Sequence, residues 1–123
     1  MSKLFTSHTD KNLSIKFNTK NGKGTITGTS IDLDSTNKLA NLTSILKEYA
    51  KEPAKETTIA VKLEYFNTRS ASNIWKVFKT LEELNLSKKS KASVTWCTEP
   101  GDKDLIETAK VYQSLCPSLP IYN

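Results

Sequence analysis

The sequence contains little of the chemistry on which metal sites and disulfide scaffolds depend. It has one histidine, His8, and two cysteines, Cys97 and Cys116, among 123 residues. Two cysteines cannot build a disulfide-dense scaffold or a four-ligand zinc site by themselves, and a single histidine near the start offers little to a metal or catalytic site. We therefore expect no metal and no cofactor, and both thiols free in a reducing compartment.

Long apolar runs are also missing. No stretch approaches the 18 or so consecutive apolar residues that a membrane-spanning helix needs. The first eight residues, Met1 to His8, are too polar for a signal peptide. These absences predict a cytoplasmic protein that does not bind a membrane.

Arginine is almost absent, although the chain is basic. The net charge is +5, yet Arg69 is the one arginine among 18 basic residues, and the lysines are spread along the chain among 13 acidic residues. Small nucleic-acid binders usually concentrate arginine and lysine on one element. The composition favours a solvated surface, with a nucleic-acid-binding module as the alternative. That module would use Lys88, Lys89, Lys91 and Trp75, together with lysines scattered along the chain.

Hydrophobic periodicity predicts strands and helices that alternate after a loose leader over residues 1–11. The order β-β-α-β-α-β-α-(β) indicates a single α/β domain over residues 12–123. It begins with an N-terminal β-hairpin and continues as a mixed sheet with helices packed on one face. The predicted strands are 13–17, 25–29, 57–66, 92–97 and 119–122, and the apolar stripes of the helices span 39–49, 74–84 and 105–116.

The turn between the third predicted strand and the second helix carries the strongest functional signal. Asn67, Thr68 and Ser70 are all residues that cap helices, and a cap is a sufficient explanation for a polar turn. The alternative is a phosphate site, because free amides and the helix dipole at a helix N-terminus favour negative charge. Arg69 could pair with a phosphate on a neighbouring hydroxyl.

Catalytic groupings are not evident anywhere in the chain. The sequence has no nucleophile–base pair, no glycine-rich phosphate loop and no metal-ligand spacing. Asp32 and Asp34, like Asp102 and Asp104, are explained as acids at helix starts, where the dipole favours them. A small-molecule-binding or enzymatic domain of similar topology therefore has the least support, and we expect a protein that is not an enzyme.

The run from Val61 to Ser72 resembles the signature of the SiaC-like regulatory phosphoproteins, in which a strand leads into Tyr-Phe-Asn-Thr-Ser-Ser and a helix. Leu81–Leu84, Val94–Trp96 and Asp102–Glu107 resemble later parts of that family, and the resemblance covers about residues 12–122. It implies a bacterial domain with a STAS-like fold, similar to the anti-anti-sigma factors. Arg69 stands where the family usually has serine.

The resemblance implies a non-enzymatic signalling regulator that is switched by threonine phosphorylation. A GHKL-type serine/threonine kinase would phosphorylate Thr68, and a PPM-type phosphatase would remove the phosphate. The unphosphorylated form would bind and activate a diguanylate cyclase, and so control cyclic di-GMP signalling, biofilm formation or aggregation. Asn67 and Ser70 match the neighbouring motif positions. Together with Arg69, which departs from the motif, they are the expected motif and partner-binding residues.

Overall fold

A single mixed sheet of six strands organises the described part of the chain in the computed structural model, which describes residues 4–7, 13–30, 32–99 and 101–123. The strands are Leu4–Ser7 (β1), Leu13–Asn18 (β2), Lys23–Ser30 (β3), Glu56–Phe66 (β4), Lys91–Trp96 (β5) and Ile121–Tyr122 (β6). Neighbouring strands in the sheet follow the order of the chain. β2 pairs antiparallel with both β1 and β3, and β3 to β6 pair in parallel. The predicted hairpin and partly parallel sheet are confirmed.

Helices connect the parallel strands and cover one face of the sheet. The helices are Leu33–Tyr49 (α1), Thr68–Leu86 (α2) and Lys103–Leu115 (α3). Each joins two neighbouring parallel strands, and right-handed crossovers in one direction along a sheet place the helices on the same side. The burial pattern of β4 agrees with helices on one side of the sheet, because Ile59 and Val61 are buried whereas Lys62 is exposed.

The hydrophobic core lies between this face of the sheet and the helices. Trp96 and Phe78 are among its largest fully buried side chains. The apolar stripes of α1 and α2 face the core as predicted, since residues three and four apart share a helix face. α3 buries only Ala109 and Tyr112, and Leu115, which we expected on its buried face, is 51% exposed.

The predicted loose leader is wrong for four residues. Leu4–Ser7 forms β1 and pairs with β2 in an antiparallel register that sets Leu4 opposite Asn18 and Ser7 opposite Ile15. Four residues are too few to show a periodicity, and pairing with β2 is what defines this strand. The other leader residues, 1–3 and 8–11, lie outside the described residues, and His8 is among them.

A β-bulge interrupts the pairing of β3 with β4. Gly28 lies opposite Leu63, but Thr29 lies opposite Tyr65, so Glu64 is an extra residue in the longer strand. Gly28 has φ of 106°, a conformation that side-chain-bearing residues rarely adopt. An extra residue of this kind reverses which side chains face the core beyond it.

The bulge changes the surface next to the predicted turn. Tyr65, which simple alternation assigns to the buried face, is 60% exposed. Phe66 turns inward instead and packs edge-on against Trp96, with ring centroids 6.3 Å apart. The last residues of β4 therefore present a tyrosine to solvent directly before the turn.

Candidate functional site

The carboxyl ends of β3, β4 and β5 lie at one edge of the sheet, termed here the carboxyl edge. Because these strands are parallel, the three helices that follow them all begin at this edge. Each helix has a capping side chain whose oxygen accepts a backbone N–H from the first turn. The caps are Asp32 for α1, Asn67 for α2 and Asp102 for α3.

Of the three possible capping residues, Asn67, Thr68 and Ser70, it is Asn67 that caps α2. Its backbone is extended, with φ −92° and ψ 179°, and its Oδ1 accepts the Ser70 N–H at 2.9 Å. Its carbonyl accepts the Ala71 N–H at 2.9 Å, which closes the first turn of the helix. The structural explanation of the polar turn is therefore correct for Asn67.

Ser70 is fully buried and joins two loops of the carboxyl edge. Its hydroxyl donates to the Ser30 carbonyl oxygen at 2.6 Å and lies 2.7 Å from the Ser30 hydroxyl. A serine hydroxyl has one proton to donate, so Ser30 is the donor in the second bond. Asn67 also donates its backbone N–H to the Ser30 carbonyl, at 3.2 Å. Ser70 therefore holds the end of β3 against the start of α2.

Thr68 and Arg69 are exposed, in contrast to Ser70. Thr68 is the first residue of α2, and its hydroxyl makes no hydrogen bond to another described residue. The Arg69 side chain has no ion pair within the described ranges. The four predicted motif residues thus lie in one turn but serve two purposes, because two hold the turn and two face solvent.

The start of α2 differs electrostatically from its neighbours. α1 and α3 each have an aspartate cap and a further aspartate in the first turn, whereas α2 has a neutral cap and no acid there. Hydrogen bonding from Ser35 lowers the pKa of the Asp32 carboxyl, so the cap of α1 stays ionised. The partial positive charge at the N-terminus of α2 is left uncompensated and is reinforced by Arg69.

An aromatic cluster supports the first turn of α2 from the core. The Trp96 ring lies 6.2 Å from Phe78 and 5.8 Å from Tyr112, and Phe66 packs on the same indole. The Tyr112 hydroxyl donates to the Ala71 carbonyl at 2.8 Å. Burial raises the pKa of Tyr112, so the phenol keeps its proton and remains a donor.

Ser30 and Tyr112 are functional-site residues that sequence reasoning missed. Ser30 lies 40 residues from its partner Ser70, and Tyr112 lies 41 residues from Ala71. The helical spacing predicts Tyr112 only as one residue of an apolar helix face. No local pattern marks either contact, since each depends on which strands are neighbours in the sheet.

The nucleic-acid alternative loses its aromatic residue in the structure: Lys88, Lys89 and Lys91 line one cleft, but Trp75 does not. Trp75 lies in the second turn of α2, half-buried against the core, with its indole nitrogen enclosed. Lys88 follows the other end of that helix, about 20 Å away at 1.5 Å per residue. The indole is therefore not presented beside the lysines as a base-stacking surface.

Among the described residues, no group of three or more histidine, cysteine, aspartate or glutamate side chains is arranged to hold a metal ion. None of the helices within those residues is both long and apolar enough to cross a bilayer.

Solved structures share this fold. Apo-SiaC from Pseudomonas aeruginosa matches with a TM-score of 0.84 and 17% identity, over 98% of this chain and 97% of that one. A second structure of SiaC from that organism matches with a TM-score of 0.85 and 16% identity, over 98% and 97% of the two chains. A third match is a chain in the crystal structure of diguanylate cyclase SiaD in complex with its activator SiaC, from the same organism. Its TM-score is 0.85 and its sequence identity 18%, over 96% of each chain.

The family assignment comes from the sequence as a whole. No curated protein matches the chain. The model of the SiaC family of regulatory phosphoproteins matches residues 6–123, which includes the turn at Thr68 and all three helices. A match over nearly the whole length, together with the common fold, shows that the chain belongs to the SiaC family of regulatory phosphoproteins.

Proposed function

We propose that this chain is a non-enzymatic, partner-binding regulator switched by phosphorylation of Thr68. The observation that carries the proposal is the contrast between two hydroxyls of one helical turn. Thr68 is exposed at the first position of α2, whereas Ser70 is fully buried and bonded to Ser30. A kinase can reach the first without unfolding the turn, but not the second.

The position of Thr68 suits a phosphate. A phosphoryl group adds roughly −1.5 to −2 charge at neutral pH and three acceptor oxygens. It would lie at the positive end of α2, beside Arg69. Of the three helices, α2 alone has no acidic residue in its first turn. The phosphate is therefore compatible with the folded domain, and the switch acts on a partner's contact with this surface.

The unphosphorylated surface would bind a protein partner. Tyr65 is 60% exposed before the turn, and Leu33, at the start of α1, is 62% exposed. Exposed apolar side chains at the same edge of the sheet as the Thr68 hydroxyl offer a contact surface that a phosphate would disrupt by desolvation and repulsion. SiaC of Pseudomonas aeruginosa is the activator of the diguanylate cyclase SiaD, so a diguanylate cyclase is the proposed partner and cyclic di-GMP signalling the proposed output.

The enzymes that set the phosphorylation state are proposed by class. A GHKL-type kinase would act on Thr68 and a PPM-type phosphatase would reverse it, as the family resemblance implies. A cytoplasmic location is part of the same proposal.

The test combines site mapping with binding. Incubation with the kinase and ATP should place phosphate on Thr68, as read by mass spectrometry. Thr68→Ala should keep the cyclase bound in the presence of kinase, and Thr68→Glu should release it. Ser72→Ala is the matched control, because Ser72 is an exposed hydroxyl of the same turn. Phosphate on Ser72 with no effect of Thr68→Ala would reject the site.

A further inference from the structure

The edge of the sheet opposite the carboxyl edge is surrounded by lysines. They line four adjoining clefts near the start of β4 and β5 and the ends of α1 and α2. The clefts adjoin because neighbouring ones share Lys55, Lys89 or Lys91. The set, termed the lysine surface, is Lys23, Lys47, Lys55, Lys88, Lys89 and Lys91.

The positive charge of the lysine surface is not neutralised locally. None of its six amines forms an ion pair with another described residue. Two acids, Glu56 and Glu83, line the same clefts. The C-terminal ends of α1 and α2 contribute about half a negative charge each. Together these negative charges balance about half of the positive charge of the six lysines, so the surface stays net positive.

The backbone under these lysines is held in place by buried hydrogen bonds. The Tyr49 hydroxyl bonds the Thr57 hydroxyl at 2.9 Å and accepts the Ala54 N–H at 2.9 Å. The Thr57 hydroxyl in turn bonds the Ser90 hydroxyl at 2.7 Å. The loop before β4 and the turn before β5 are thereby joined. These two segments carry Lys55, Lys88 and Lys89, and Lys91 is the first residue of β5. The backbone of these segments therefore loses little freedom when the surface binds.

Lys88 gives a further indication that the lysines serve binding. It follows the cap of α2 with φ of 60°, a left-handed conformation that glycine usually occupies at this position. Here a lysine occupies it, beside Lys89, in the less favourable backbone conformation. Residues held in such conformations occur preferentially at functional sites.

We propose that the lysine surface docks an acidic segment of a protein partner. Lysine provides point charges without the planar fork with which arginine reads phosphates and bases. The lining includes a single exposed aromatic residue, Tyr122, in one cleft, so a platform for stacking bases is not formed by these residues. The family consists of regulatory proteins, and a structure of this fold is in complex with a protein. These features favour a polypeptide occupant over a nucleic acid.

The lysine surface is independent of the proposed switch at Thr68. β4 runs from Glu56 to Phe66, and eleven residues of strand extend about 35 Å. Opposite edges of the sheet can therefore contact different parts of one partner, or different partners. Docking at the lysine surface would raise the rate at which the partner associates with the domain, and it would not depend on a phosphate at Thr68.

The experiment measures binding of a polyglutamate peptide to the whole chain by fluorescence anisotropy. At about 10 mM salt the Debye length is about 30 Å, and at 0.15 M it is about 8 Å, so affinity should fall steeply between them. The triple variant Lys55→Gln/Lys89→Gln/Lys91→Gln should bind at least about tenfold more weakly at low salt, since it loses three charge contacts. The control Lys16→Gln/Lys62→Gln/Lys76→Gln removes the same charge from exposed lysines elsewhere and should bind as wild type does.

Several results would overturn the proposal. Equal loss in the two triple variants would mean that net charge alone attracts the peptide. Tighter binding of a DNA duplex, or of phosphatidylserine vesicles, than of polyglutamate would assign the surface to another occupant. No binding at low salt would reject it outright. Amide shifts in NMR spectra of wild type, confined to residues 21–23, 47–50, 54–57 and 85–92, would support it without any variant. Thr68→Glu should bind polyglutamate unchanged, which separates this proposal from the switch.

Discussion

The Ser70 hydroxyl donates to the carbonyl oxygen of Ser30 at 2.6 Å, and both residues are fully buried. This contact joins the end of β3 to the first turn of α2, across 40 residues of chain. It explains why two hydroxyls two positions apart have different accessibility. Ser70 holds the turn in the conformation that leaves Thr68 on the surface.

Replacement of Ser70 should cost stability rather than signalling. Ser70→Ala removes the donor to the Ser30 carbonyl and leaves the Ser30 hydroxyl buried without its acceptor, so the free energy of unfolding should fall by about 1–3 kcal/mol. Urea denaturation would measure the change. Ser72→Ala, at an exposed position of the same turn, should change stability by less than about 0.5 kcal/mol. Equal stability of the two variants would contradict the role assigned to Ser70.

The cap of α2 can be tested by two substitutions of one residue. Asn67→Ala removes the oxygen that accepts the Ser70 N–H and should destabilise the domain by about 1 kcal/mol. Asn67→Asp keeps an acceptor and adds a charge that the helix dipole favours, so it should be at least as stable as wild type. Thermal unfolding of the three proteins gives the comparison. A stable Asn67→Ala variant would show that the cap contributes little.

A negative charge at Thr68 should not unfold the domain. Thr68→Glu places the charge in the first turn of α2, where it should leave the free energy of unfolding unchanged or raise it by about 0.3–1 kcal/mol. Release of the partner would then be a surface effect. Chemical denaturation, run beside the binding assay, tests this separation. Marked destabilisation of Thr68→Glu would indicate that phosphorylation acts by melting the helix instead.

Arg69 should stabilise the dianionic form of a phosphate on Thr68. In the phosphorylated protein, the second pKa of the phosphate should be lower in wild type than in Arg69→Ala by about half a unit, the size expected for an exposed charge pair. Phosphorus NMR titration reads this pKa directly. Arg69→Ser introduces the residue more usual in the family and should behave like Arg69→Ala. Identical pKa values in all three proteins would exclude the pairing.

Tyr112 should matter to stability through its hydroxyl. Tyr112→Phe keeps the ring in the aromatic cluster but loses the bond to the Ala71 carbonyl, which should cost about 1 kcal/mol. Tyr122→Phe is the control, because Tyr122 is 61% exposed. Hydrogen exchange at the amides of the first turn of α2 should be faster in the Tyr112 variant alone.

The same tyrosine predicts a pH dependence. Burial raises the pKa of Tyr112 in the folded protein, so the folded state holds its proton at pH values where the unfolded state has lost it. The contribution of the protonated Tyr112 phenol to the free energy of unfolding is therefore complete below the ordinary tyrosine pKa of about 10. It declines as the pH rises above that value. Above about pH 10, the stability difference between wild type and Tyr112→Phe should shrink. A difference that does not change with pH would contradict this.

Much of the fold follows from local patterns, because side-chain periodicity is a property of neighbouring residues. The stripe from Leu39 to Tyr49 and the alternation from Ile59 to Leu63 predict α1 and β4 correctly. Asn67 is recognisable as a capping residue for the same reason. The prediction fails where pairing with another strand decides the outcome, as it does for β1 and for the bulge at Glu64.

The order of helices and strands, the turn that contains Thr68 and the near absence of arginine can all be read from the sequence. Which hydroxyl of that turn is accessible depends on the folded chain, because Ser70 becomes buried when it meets Ser30 at the end of another strand. Only the tertiary structure gathered the lysine surface, whose members are spread from Lys23 to Lys91 along the chain. The physical reason is common to both cases. Accessibility and local charge depend on which distant segments the sheet makes neighbours, and the spacing of residues along the chain does not contain that information.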